Sequence, residues 1–156
     1  MMPSIRIRPA TEHDLLAIIQ LDGLSNPYPW GKALVADALI TRKNWVIESE
    51  GEGQVSLAGW LTASVLFDQS ELELIVVAQK MRRQGLAKKL MVTWLHAVAE
   101  QGVCEYLLEV RESNLGAINL YQSLGFELVG HRKNYYQTEG GHEAACLFNL
   151  KLNEGN

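Results

Sequence analysis

Cysteine is scarce: Cys104 and Cys146 are the only two in 156 residues, and neither belongs to a CxxC pair or a Cys/His cluster. No metal site is therefore expected. Two cysteines in a chain of this size read as buried thiols in a reducing compartment rather than as a disulfide. Long apolar runs are missing too. None reaches the ~18 residues of a membrane span, and the opening MMPSIRIRPA lacks the apolar stretch of a secretory signal. Nor is there a basic excess: 14 Lys and Arg stand against 18 Asp and Glu, for a net charge of −4 and a pI near 5.6, so no direct nucleic-acid binding is expected. Neither a GxxxxGKS/T loop nor a GxGxxG fingerprint occurs, which excludes the two commonest nucleotide-phosphate motifs. These absences leave a cytoplasmic protein with no membrane partner, expected to be a monomer.

What is present is ordinary globular material, 47% hydrophobic and 21% charged, and the length predicts one domain over 1–156. SIRIR (4–8) alternates and reads as a strand. Thr11 followed by Asp14 forms a capping-box-like start to a helix carrying Leu15, Ile18, Ile19 and Leu21. SNPYPWG (25–31) breaks it, and a second helix covers 32–41. The period then changes to strands at 45–49, 56–67 and 71–77, with GEG as a turn. From Leu86 it is helical again through Leu90, Trp94 and Val98, until Gly102. EYLLEVR (105–111) is a strand, Ser113 or Asn114 caps a short helix that ends at Gly125, and strands at 126–131 and 143–152 flank the aromatic KNYYQ. The order β-α-α-β-β-β-α-β-α-β-β, with a crossover unit at 71–111, predicts an α/β chain. Its sheet should be mixed, with a parallel pair and helices on its faces.

Three features carry candidate chemistry. In RRQGLAKKL (82–90) basic residues crowd a glycine where a helix starts, so free N–H groups, the helix dipole and close backbone approach at Gly85 could hold an anion. The plain alternative is a solvated basic turn, although cations there oppose the dipole. In EVRESN (109–114), Glu109 shares a strand face with Leu107 and Arg111, opposite Tyr106, Leu108 and Val110. A solvent-facing or Arg-paired carboxylate is the plain alternative. In INLYQSLGF (118–126), Tyr121 falls midway between Ile118 and Leu124 and points inward, where a core tyrosine would also sit.

Taken together, Arg82-x-x-Gly85-x-Ala87, the strand LELIVV, LLEVRESN, AINLYQSLGF, RKNYYQ and the PYPW segment at 27–30 resemble the GNAT superfamily of N-acetyltransferases. Within it they resemble the bacterial enzymes that acetylate the N-terminal alanine of a ribosomal protein. The resemblance is strong over about 70–137. It implies a mostly antiparallel sheet with a splayed parallel strand pair and helices on both faces. It also implies acetyl-CoA as co-substrate, a ribosomal-protein N-terminus as acceptor, and no metal. Ile75, Val76 and Val77 would then carry the pantetheine, with Asn114 reaching the same arm. Arg82, Arg83, Gln84, Gly85, Leu86, Ala87 and Lys88 would hold the diphosphate, chiefly through main-chain N–H groups. Glu109 matches the family's proton acceptor and Tyr121 its proton donor, while a main-chain N–H near Val77 would polarise the thioester. No cysteine falls on a nucleophile position, so direct transfer in a ternary complex is implied. The family's frequent Asp-Pro after the central strand is Ala78-Gln79 here. The rival readings are the same chemistry on lysine side chains or small amines, and a non-catalytic acyl-CoA-binding module.

Overall fold

A computed structural model describes residues 4–152. The strands are β1 (Ser4–Pro9), β2 (Lys43–Gly51), β3 (Gln54–Leu66), β4 (Gln69–Val77), β5 (Glu105–Arg111), β6 (Glu127–Thr138) and β7 (Gly141–Lys151). The helices are α1 (Leu15–Ser25), α2 (Gly31–Thr41), α3 (Leu86–Ala99) and α4 (Leu115–Ser123). Their order is the expected one. The sheet runs β1-β2-β3-β4-β5-β7-β6, and the β4–β5 pair is parallel while the other pairs are antiparallel.

Local chemistry explains the boundaries. Thr11 and Asp14 form the expected capping box, with Asp14 accepting from the Thr11 N–H at 2.8 Å, but it closes a single 3-10 turn, Glu12–Asp14, before α1 begins. In α3, Leu86, Leu90, Trp94 and Val98 recur every four residues and are all buried, the stripe a helix must show to sit on a sheet. Gly102, at φ +97, turns the chain just past the end of α3. Of the two candidate caps for α4, Asn114 fills the role: its side chain accepts from the Ala117 N–H at 3.2 Å. KNYYQ is not a separate connection. It lies inside β6, where the register with β7 shifts between Arg132 and Tyr136 and Asn134 takes a φ of +57.

Two apolar layers sandwich the sheet. One gathers Leu90, Met91 and Trp94 of α3, Tyr121 of α4, and Ile47, Leu61 and Leu108 from the sheet. The other packs Ile18 and Leu21 of α1 and Val35 and Ala38 of α2 against Val46, Trp60 and Val76. Polar anchors tie the first layer together. Trp94 Nε1 donates to Ser70 Oγ on β4 at 2.9 Å, and the Tyr106 hydroxyl of β5 donates to the Leu95 carbonyl of α3, also at 2.9 Å. Thus α3 straddles the parallel strand pair and holds both of its members.

The sheet opens where β4 bulges. Leu74 lies opposite Thr62 and Leu72 opposite Ala63, leaving Glu73 as an extra residue on β4. A bulge kinks a strand and raises its twist. Pairing between β4 and β5 covers Gln69–Leu72 against Glu105–Leu108 and stops there. Beyond the bulge the two strands no longer pair, and a gap opens between them.

Candidate active site

The gap is part of a cavity of about 660 Å³ lined by both strands, by the segment between α1 and α2, and by α3, α4 and β6. Ala78 N–H donates to the Ala58 carbonyl of β3 at 2.8 Å. Antiparallel ladders alternate in direction along the strand. Val76 therefore pairs with Trp60, while the main-chain groups of Ile75 and Val77 point away from β3, into the gap. With β5 already diverged, they form an open strand edge facing the cavity.

One end of the cavity lies at the start of α3. Lys89 N–H bonds back to the Gly85 carbonyl at 3.1 Å, and the preceding N–H groups of Leu86, Ala87 and Lys88 have no intrahelical partner. Gly85 caps the helix at φ +76 without a side-chain cap bond, and Arg83 sits at φ +65. Two left-handed residues, one on each side of Gln84, turn the main chain so that its amides can converge on an anion. No atom of the chain lies within 4 Å of where a Gly85 side chain would begin, so within the fold itself it is the backbone angle that calls for glycine.

The expected site residues divide by place. Glu109, Tyr121, Ile75, Val76, Val77, Arg82, Ala87 and Asn114 line the cavity together. Arg83, Gln84, Gly85 and Lys88 are exposed on the turn at its end. Leu86 offers its main chain only, since its side chain is buried in the core at 3% exposure. Arg82 is more committed than its sequence suggests: it donates to the Ser25 carbonyl at 2.7 Å and the Val77 carbonyl at 3.3 Å. Its guanidinium joins the end of α1 to the end of β4.

The reactive end carries a carboxylate and a phenol. Glu109 projects from β5, with Oε1 3.2 Å from Arg132 Nη2 on β6, and that arginine is more than half exposed. Burial pushes the Tyr121 phenol up to about 12, with Tyr136 as the lesser cause. A phenol is protonated at neutral pH, and burial holds this one more firmly in that form. Tyr136 is raised by burial first and by Glu109 next. On β4, Glu71 is raised by burial, then by Glu109 and Glu73.

The segment between α1 and α2 closes the far side. The buried Asp22 carboxylate accepts from Asn26 Nδ2 and from the Trp30 N–H, each at 2.8 Å, which fixes both ends of that segment. At its tip, the Tyr28 ring lies 3.8 Å from Arg111 Cζ, and the Tyr136 ring of β6 lies 4.3 Å from the same atom. All three residues line the cavity. Sequence reasoning placed Arg111 beside Glu109 on a strand face but gave none of these three a role. Their stacking joins positions 28, 111 and 136, and no local period signals it.

No group of three or more His, Cys, Asp or Glu able to hold a metal ion occurs among the described residues. No helix among them is long and apolar enough to cross a membrane.

An open strand edge thus leads from a helix start to a carboxylate and a phenol that line one cavity. The acetyltransferase (GNAT) family pattern matches residues 15–126, and the chain belongs to that family of acyltransferases. Among its relatives is the ribosomal protein bS18-alanine N-acetyltransferase of Escherichia coli, 32% identical over 140 residues that cover 89% of this chain and 92% of the relative. The crystal structure of the Escherichia coli enzyme superposes with a TM-score of 0.89 at 29% identity, covering 98% of this chain and 97% of that one. Arabidopsis thaliana NAA60 in complex with acetyl-CoA shares the fold, with a TM-score of 0.84 at 21% identity over 95% and 98% of the two chains.

Proposed function

We propose that this chain transfers the acetyl group of acetyl-CoA to the N-terminal alanine of a small-subunit ribosomal protein, in the cytoplasm, by direct attack within a ternary complex. The observation that carries this reading is the open β4 edge, which ends between the anion-binding turn and the Glu109–Tyr121 pair. The likeness to the bS18-alanine acetyltransferases over nine-tenths of the chain supports the acceptor.

Acetyl-CoA supplies an acetyl group activated as a thioester. The residues present fit it: outward main-chain groups at Ile75 and Val77 suit the amide-rich pantetheine. The free N–H groups of Leu86, Ala87 and Lys88, in a turn carrying Arg83, suit the diphosphate. Asn114 uses its carbonyl oxygen to cap α4, which leaves its amide N–H groups to donate to the pantetheine arm.

An α-amino group has a pKa of roughly 7.7–8.0, so much of it carries a proton at neutral pH. Glu109 accepts that proton, directly or through water. The Val77 N–H polarises the thioester carbonyl and receives the charge that develops on its oxygen. Tyr121 gives its proton to the departing sulfur. Starting from the ammonium form, the nitrogen gives up two protons, one through Glu109 before attack and one as the amide forms; the sulfur gains one by way of Tyr121, which is then reprotonated, and one proton leaves to solvent. Cys146 is buried and its thiol is pushed up by burial, opposite to what a nucleophilic thiolate needs, which supports direct transfer.

Incubation with acetyl-CoA and N-terminal alanine peptides, against free lysine and polyamines, tests the assignment. Peptide turnover is expected to dominate. Preferred turnover of the small amines would move the function to another acceptor, and acetyl-CoA binding with no turnover of any amine would favour a non-catalytic acyl-CoA module.

A further inference from the structure

The Arg111 side chain is held by four groups. Its guanidinium carbon lies 3.8 Å from the Tyr28 ring centroid and 4.3 Å from that of Tyr136. Its Nη1 donates to the Gln137 carbonyl at 3.1 Å and to Glu143 Oε1 at 3.0 Å. Tyr28 belongs to the segment between α1 and α2, while Tyr136, Gln137 and Glu143 belong to the β6–β7 hairpin. One side chain on β5 thus connects two elements that flank the reactive end of the cavity. It rises from the same strand face as Glu109, two residues on.

Tyr28 is 54% exposed at the tip of its segment; its N–H donates to Asn26 Oδ1 at 2.9 Å, and Asp22 holds Asn26 and Trp30 on either side, bonds that fix the main chain and not the ring. Tyr136 is the residue at which β6 regains register with β7, opposite Glu143, after the break that follows Arg132, and its ring also meets that of Tyr135 edge-on at 5.0 Å. A planar guanidinium can stack on an aromatic face while its edge donates hydrogen bonds. An ammonium has no flat faces and cannot support two rings in this way.

We propose that Arg111 is a positioning residue of the acceptor subsite: stacked between Tyr28 and Tyr136, it sets the two rings as the walls through which the amine reaches Glu109. This deepens the proposed function and rests on it as regards the identity of the amine. Arg111 takes no part in proton transfer, and its loss leaves the cofactor end of the cavity intact. The consequence is a split in kinetics, with acceptor KM rising while acetyl-CoA affinity holds.

The test combines kinetics with side-chain spectroscopy on the full chain. Arg111→Ala and Tyr28→Ala should each raise the acceptor KM roughly tenfold, the weight of a partly desolvated cation–π contact. The acetyl-CoA Kd by calorimetry should change less than about twofold. The double variant should be no worse than either single one, because both break the same contact. Tyr28→Phe keeps the ring and should recover most of the loss, whereas Arg111→Lys should recover little. Independently of any acceptor, ring currents should shift the Arg111 side-chain NMR signals upfield, and Tyr28→Ala should relax that shift. Additive effects in the double variant, an equal loss of acetyl-CoA affinity, or unshifted Arg111 signals would each overturn the proposal. If the wild type acetylates a different amine, the acceptor assignment falls alone, and the stacking is judged by the same cycle with that amine and by the spectra.

Discussion

Tyr121 is 5% exposed, and its surroundings set what the phenol can do. A phenol in water ionises near 10, whereas burial raises this one to about 12. At neutral pH it is a donor that cannot be mistaken for a base. Tyr121→Phe removes the hydroxyl and keeps the ring that packs against Phe126. We expect turnover to fall by about 10²–10⁴-fold, the usual weight of a positioned acid, with acetyl-CoA affinity unchanged by calorimetry. Wild-type-like turnover would remove Tyr121 from its role. At this scale the sequence was informative where position on an element decides direction. Alternation put Glu109 on the open face of β5, and helical spacing turned Tyr121 inward. It was silent where a long side chain chooses among distant partners. Arg82 reads as a phosphate ligand in sequence, yet its guanidinium reaches the Ser25 carbonyl, 57 positions away. Arg111 is equally opaque until Tyr28 and Tyr136 are brought to either side of it.

Among the elements, the turn before α3 and the bulge in β4 matter most to the site. The turn was legible, because a glycine just before an apolar-periodic run marks a helix start in a conformation other residues avoid. The reason for that glycine was not. No atom of the chain crowds the position of a Gly85 side chain, so the constraint the fold imposes is φ +76. A β-branched residue resists that angle more than most. Gly85→Val should therefore loosen the turn and disperse the amides it gathers, weakening acetyl-CoA binding roughly tenfold, as read by calorimetry. Unchanged affinity would mean that the turn does not hold the diphosphate. The bulge had no signal in sequence. ELELIVV reads as one regular strand, and only the pairing with β3 shows Glu73 displaced, with its carboxylate taken up by Arg42 Nε at 2.7 Å. The β6 irregularity was missed for the same reason, since a bulge is a property of two strands and the sequence shows one at a time.

For the whole molecule, the bulge makes the sheet two half-sheets that share a short seam. β1 to β4 form one half and β5, β7 and β6 the other, joined along Gln69–Leu72 and Glu105–Leu108 and spanned by α3 through Trp94 and Tyr106. Element order and the parallel crossover could be read from periodicity because they follow from local pattern and handedness. The depth of the split could not, because it depends on where pairing stops. A ligand seated in the gap would touch both halves: β4 through the main chain of Ile75 and Val77, α3 through its first turn, and α4 through Asn114. Binding to the folded state alone stabilises it by about 2.7 kcal/mol at a hundredfold excess over Kd. For a chain of this size that corresponds to a rise in Tm of roughly 5–10 °C. Acetyl-CoA and free CoA should both produce it, because the grip is on the pantetheine and the phosphates, while acetate at equal concentration should not. Differential scanning calorimetry over a ligand titration reads this directly. A Tm indifferent to CoA would mean that the gap between β4 and β5 is not where the carrier binds.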